Sequence, residues 1–149
     1  MSRRGWKAVE RTAADLFGLI RFPANMGGRL DFGPRSSKQP PFLGQVKNPR
    51  VQSLATLTKL AMEMEALADL AETANEFDDG RLYYGVVVTK LSNKTPTPHL
   101  VTMTEDTWMK LRKHLPFDWE IGARRKGADN GGQGQQEPTG DERATEAGS

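Results

Sequence analysis

Arg29-Leu30-Asp31-Phe32 and, nine residues later, Phe42-Leu43-Gly44-Gln45-Val46-Lys47 decide how this chain is read. Each stretch is too short for a helix and is bounded by Gly or Pro, which marks a strand. Asp31 follows closely on the Gly27-Gly28 pair, so an edge-strand or turn aspartate is the plain reading of that residue alone. In the second stretch Gln45 and Lys47 are two positions apart and share one side of the strand, while Val46 takes the other. Lys47 therefore ends its strand with an ammonium group beside the Gln45 amide.

Working outward, Trp6, Val9, Ala13, Leu16 and Phe17 recur at helical spacing over residues 4–18, with Gly18 as terminator. Leu19–Phe22, ended by Pro23, reads as one more short strand. Beyond Pro49, residues 51–77 place Leu54, Leu57, Leu60, Ala61, Met64, Leu67, Ala68 and Ala71 on one face of a long amphipathic helix. Asp78-Asp79-Gly80 breaks it. Leu82–Lys90, with the β-branched run Val86–Val88, is a strand, and His99–Met103 is another. Thr104, followed by Glu105 and Asp106, starts a helix that runs to about His114. The expected order is α-β-β-β-α-β-β-α, an α/β fold with a central mixed sheet flanked by helices.

With 149 residues there is room for one domain, placed at 1–125. The polar tail, 126–149, has no large apolar residue from Ala128 onward and is expected to be disordered. The net charge of +2 conceals a segregation. Residues 1–50 hold ten basic and three acidic side chains, whereas residues 51–80 hold one and seven. Such separation suits a surface that meets a polyanion. The absence of cysteine excludes disulfides, a thiol nucleophile and thiolate metal sites. His99 and His114 cannot build a histidine-rich centre, and no glycine-rich nucleotide-binding fingerprint occurs. The longest apolar run is too short to span a bilayer, and no apolar signal segment follows the basic N-terminus. The expected location is the cytoplasm, with no membrane partner.

Glu10 lies within the arc set by Trp6, Val9, Ala13 and Phe17 on its helix, although Lys7, Arg11 and Asp15 occupy the solvated positions. A carboxylate turned toward the apolar side needs a counter-ion or a metal. The plain candidates for a counter-ion are Arg21 and Arg29.

Taken in order, Glu10 in Trp6–Arg11, Arg21-Phe22-Pro23, Gly28–Asp31, Gly44–Lys47 and the long helix resemble the PD-(D/E)XK nuclease superfamily. Within it the chain is similar to the small Holliday junction resolvase-like proteins of phages and archaea. The resemblance covers roughly residues 4–104 and rests on order and spacing, since each motif is short. It implies a restriction-endonuclease-like core and catalytic residues Glu10, Asp31, Gln45 and Lys47. It also implies Mg²⁺, for which Mn²⁺ can substitute, held by Asp31, Glu10, Gln45 and the Val46 carbonyl. Lys47 would orient the attacking water and steady the charge that develops on phosphorus. Gln45 departs from the pattern, because the family has Glu or Asp there; an amide oxygen can still ligate but brings no charge. Some transposase-associated endonucleases of the superfamily carry the same variant.

DNA, possibly branched, is the implied partner, and Arg3, Arg4, Lys7, Arg11, Arg35, Lys38 and Arg50 are the candidate phosphate contacts. Arg124-Arg125-Lys126 adds a further basic cluster. Two symmetric cuts in a two-fold junction imply a homodimer. The alternatives are a DNA-binding protein that keeps the nuclease fold without cleavage, and an interaction protein whose acidic helix binds a basic partner. Trp108 and Trp119 could stack on bases but read more simply as packing residues.

Overall fold

Helix α1, Arg3–Leu16, opens the structure, a computed structural model that describes residues 3–23, 30–47, 53–90 and 97–120. Val9, Ala13 and Ala14 of α1 are fully buried, while Lys7, Arg11 and Asp15 stay exposed. Gly18 ends the helix in the left-handed region at φ 70°. The Gly18 N–H donates to Asp15 O at 3.1 Å and the Leu19 N–H to Ala14 O at 3.0 Å. That double bond pattern satisfies two terminal carbonyls and turns the buried Leu19 back onto Ala14.

Strand β1, Phe42–Lys47, begins just after Pro40-Pro41 and has the bounds that its punctuation predicts. Helix α2, Leu54–Ala74, starts at Ser53, whose hydroxyl accepts the Thr56 N–H at 3.1 Å. It stops at Asn75, in the left-handed region with φ 46°. Strands β2, Tyr84–Lys90, and β3, His99–Thr102, follow. Helix α3, Glu105–Arg112, is capped by Thr104 as expected, its hydroxyl accepting the Thr107 N–H.

The sheet order is β1-β2-β3, with β1 parallel to β2 and β2 antiparallel to β3. Phe42 pairs with Tyr84 and Lys47 with Thr89, so α2 is the crossover that a parallel pair requires. Period-two alternation sends Val46, Val86 and Val88 toward α1, where Phe32, Val9 and Ala13 complete one core. Leu43, Val87 and Tyr83 face the other way, onto Ala61, Met64 and Ala68 of α2. The result is a helix–sheet–helix sandwich. Each fully buried valine of β2 contributes about 1.5–3 kcal/mol of apolar burial. Gly85 lets α2 approach: a side chain there would run into the Met64 backbone.

The structure corrects the expected order at two places. Among the described residues, the strands expected at Leu19–Phe22 and Arg29–Phe32 are reduced to single antiparallel bridges, Arg21 with Phe32 and Phe32 with Gly44, while Arg29 lies outside those residues. Pro23 and Pro34 flank these segments, and proline cannot donate to a ladder, so neither run is long enough to repeat its pairing. The bridges still lay the Phe32 segment beside β1, on the edge away from β2, with the Arg21 segment next to it on the outside. The observed order of full elements is thus α-β-α-β-β-α.

Residues 1–114 form one unit and 115–149 a second. Of the second unit, residues 115–120 are described: the Phe117 N–H donates to Leu115 O, and the Phe117 and Trp119 rings meet edge-on at 5.8 Å. The tail and Arg124-Arg125-Lys126 lie outside the described residues. No helix among the described residues is long and apolar enough to cross a membrane.

Candidate metal and phosphate site

Asp31 is positioned by backbone on both sides. Its N–H donates to Gly44 O at 2.8 Å, and its carbonyl accepts the Phe22 N–H at 2.8 Å. Its carboxylate Oδ2 accepts the Val46 N–H at 2.7 Å. The ring of Phe32 lies where a side chain on Gly44 would stand, and this close approach lets the Asp31 segment dock on β1. In an extended strand the N–H and C=O of one residue point to the same edge. The Val46 carbonyl therefore faces the Asp31 edge, like its N–H.

Glu10 reaches the same region from α1. Its Oε1 accepts Arg21 Nε at 2.6 Å, and only 13% of the Glu10 and 17% of the Arg21 side chain is exposed. The ion pair expected for a carboxylate on that face is present, with Arg21 rather than Arg29 as partner; Arg29 lies outside the described residues.

Glu10, Arg21 and Lys47 each act electrostatically on Asp31. Burial holds the Asp31 carboxyl above its usual range, and the negative charge of Glu10 adds to that rise. The Val46 N–H, Lys47 and Arg21 pull in the opposite direction. Of the site residues expected from the sequence, Asp31 lies within electrostatic reach of Glu10 on α1 and of Lys47 at the end of β1. Gln45 is buried in the middle of β1, on the α2-facing side with Leu43 and Lys47. Arg21 belongs to this constellation although its sequence context marked it only as a counter-ion.

The residues expected to hold a cation offer two carboxylates, an amide oxygen and a backbone carbonyl, donor types suited to Mg²⁺ or Mn²⁺. Among the described residues no group of three or more His, Cys, Asp and Glu side chains converges.

Of the candidate phosphate contacts, Lys7 and Arg11 are exposed one turn apart on α1, the helix that carries Glu10. Arg3 and Arg4 lie in the first turn of that helix. Arg35 and Lys38 are exposed on the connection between Asp31 and β1, with the Arg35 guanidinium 5.5 Å from the Phe22 ring centre. Arg50 lies outside the described residues. Arg81 holds that connection in place. It donates to the carbonyls of Ser36 at 2.9 Å, Ser37 at 3.1 Å and Gln39, while its guanidinium packs over Phe77 and Tyr83.

A cleft of about 210 Å³ lies beside the Glu10–Arg21 pair, lined by Arg11, Asp15, Ile20 and Arg21. A larger, apolar cleft of about 390 Å³ is lined by Leu30, Leu43, Leu67, Phe77 and Tyr83 among others. Glu10, Asp31, Gln45 and Lys47 do not line it.

Compared with protein-family models, with curated proteins and with solved structures, the chain matches none of them.

Proposed function

We propose that this chain is a metal-dependent endodeoxyribonuclease of the Holliday junction resolvase-like type, built on a restriction-endonuclease-like core and acting as a homodimer on DNA. The observation that supports the reading is the placement of Asp31, whose carboxylate accepts the Val46 N–H of β1 and lies within electrostatic reach of Glu10 and Lys47. These residues come from a helix, a bridge segment and a strand end, and packing alone does not call for two carboxylates and an ammonium group there.

Asp31 and Glu10, with the Gln45 amide and the Val46 carbonyl, would hold one Mg²⁺ or Mn²⁺. When bound, such an ion lowers the pKa of a water and neutralises phosphate charge. Lys47, at the end of β1, orients the attacking water and meets the negative charge that grows on the phosphate oxygens. The Val46 N–H keeps Asp31 aimed, since it fixes one carboxylate oxygen and leaves the other for ligation. Lys7 and Arg11 on α1, and Arg35 and Lys38 beyond Asp31, supply the phosphate contacts that fix register on DNA. A second reading, a DNA-binding protein of the same fold without cleavage, is favoured by two observations: Gln45 stands where the family has a carboxylate, and Glu10 is already held by Arg21.

The test is cleavage of labelled four-way junctions, flaps and linear duplexes with Mg²⁺ or Mn²⁺. Cutting that EDTA stops and Asp31→Asn abolishes supports the nuclease. Salt-sensitive binding without cutting supports the second reading. Absence of both binding and cutting removes the two together.

A further inference from the structure

We propose that Arg21 serves two partners in turn: it holds Glu10 until a divalent cation is taken up, then releases that carboxylate and grips a DNA phosphate. The inference rests on the nuclease reading and extends it to a residue which that reading does not use.

The geometry leaves Arg21 little choice of neighbourhood. Its backbone is bridged to Phe32, and the next residue, Phe22, donates its N–H to the Asp31 carbonyl. Its guanidinium is thereby delivered between Asp31 and α1, where Nε meets Glu10 Oε1 at 2.6 Å. Arg21 also lines the cleft of about 210 Å³, together with the exposed Arg11. Asp15 lines the same cleft.

Charge then dictates an exchange. Glu10 and Asp31 offset Arg21 and Lys47, so the four groups balance. Arginine cannot surrender its charge by losing a proton in this setting. A divalent cation drawn to Asp31 and Glu10 therefore leaves the cluster with two excess positive charges. Part of that excess is removed if Arg21 turns toward the cleft and pairs there with a phosphodiester, whose geometry its forked donors match. Arg21 thus makes uptake of the cation and seating of the DNA mutually dependent.

The experiment uses the full chain, with folding checked by circular dichroism. Mg²⁺ affinity is measured by calorimetry for wild type, Asp31→Asn, Arg21→Gln and Arg21→Lys. Binding of a labelled duplex is measured against salt, once in EDTA and once with Ca²⁺ to hold cleavage off. Arg21→Gln should bind Mg²⁺ about five- to tenfold more tightly than wild type, because Glu10 is no longer claimed. Arg21→Lys should bind it no more tightly than wild type. With Ca²⁺, Arg21→Gln should lower the salt slope of DNA binding by about one; in EDTA the slope should not change. Should Arg21→Gln not fold, Glu10→Gln gives the complementary reading: with Arg21 already released, its DNA salt slope in EDTA should rise by about one. Mg²⁺ binding that Asp31→Asn abolishes but Arg21→Gln leaves unchanged or weaker would overturn the exchange and leave the nuclease reading standing. Failure of wild type to bind Mg²⁺ would overturn both.

Discussion

Phe32 and Gly44 are complementary surfaces: the fully buried ring occupies the volume where any side chain at position 44 would begin. The same two residues exchange backbone hydrogen bonds, Gly44 N–H to Phe32 O at 3.0 Å and Phe32 N–H to Gly44 O at 3.3 Å. Asp31, adjacent to Phe32, owes its place beside Val46 to this fit.

Gly44→Ala should therefore push the Asp31 segment off β1. We expect a loss of about 1–3 kcal/mol in stability by urea denaturation, typical of an overpacked core. Any nuclease activity should fall by more than the unfolded fraction explains, because Asp31 moves with Phe32. Wild-type stability in this variant would mean that Phe32 has room to yield.

Asp31→Asn separates function from stability. It should abolish metal-dependent cleavage while raising the thermal midpoint at neutral pH. The folded state holds the Asp31 carboxyl above its usual range, so the folded form binds protons more readily than the unfolded one. Wild-type stability then declines as pH rises from the ordinary carboxylate value up through the raised one. The variant should lack that decline, and its advantage should vanish in acid, where both states of the wild type are protonated. Thermal melts of both proteins across the acid range check the sign.

Lys47→Ala should reduce turnover roughly 10²–10³-fold while leaving Mg²⁺ affinity near wild type, since the loss falls on developing charge rather than on the ion. Single-turnover kinetics beside calorimetry distinguish the two effects. Unchanged turnover would remove Lys47 from the chemistry.

Gln45→Glu buries a charge at a position that is only 8% exposed. Without a divalent cation the variant should be less stable than wild type, because a buried carboxylate needs compensation. With Mg²⁺ its stability should recover by more than the wild type gains, as binding to the folded state adds to its stability. A thermal midpoint indifferent to Mg²⁺ would place Gln45 away from any ion.

Arg81→Ala removes three carbonyl partners and the packing over Phe77 and Tyr83. A loss of roughly 2–4 kcal/mol is expected. Amide exchange should quicken at residues 36–39, the connection that carries Lys38. Unaltered exchange there would mean that the connection holds itself.

Much of this arrangement is legible in the amino-acid order wherever punctuation is strong. Pro40-Pro41 delimits β1 to the residue, Gly18 terminates α1 and Thr104 caps α3, because each of these residues restricts backbone or bonding within one turn. The two N-terminal strands were read too generously: β-like composition does not reveal that flanking prolines leave room for only one bridge. The pairing of Glu10 with an arginine of the following segment was legible from its place on the apolar arc of α1. The role of Arg81 was not, since besides Asp79 it holds three carbonyls 42 to 45 residues away, and every residue possesses a carbonyl. Arg21 was visible as a counter-ion, but nothing in its local sequence tells that it also lines a cleft.

The parallel pairing of β1 with β2 also governs how the chain reaches this state. Every residue of that register meets a partner 42 positions further along, from Phe42 with Tyr84 to Lys47 with Thr89. No rung of that ladder can form before the intervening chain has closed on itself, and that closure costs entropy in advance of any bond it allows. Formation of α2 shortens the span to be searched, at about 1.5 Å per residue instead of an extended strand's roughly 3.3 Å. The acidic helix is thus a kinetic device as well as a wall of the sandwich. Substitutions that weaken α2 at exposed positions, such as Ala66→Gly, should slow refolding more than they hasten unfolding.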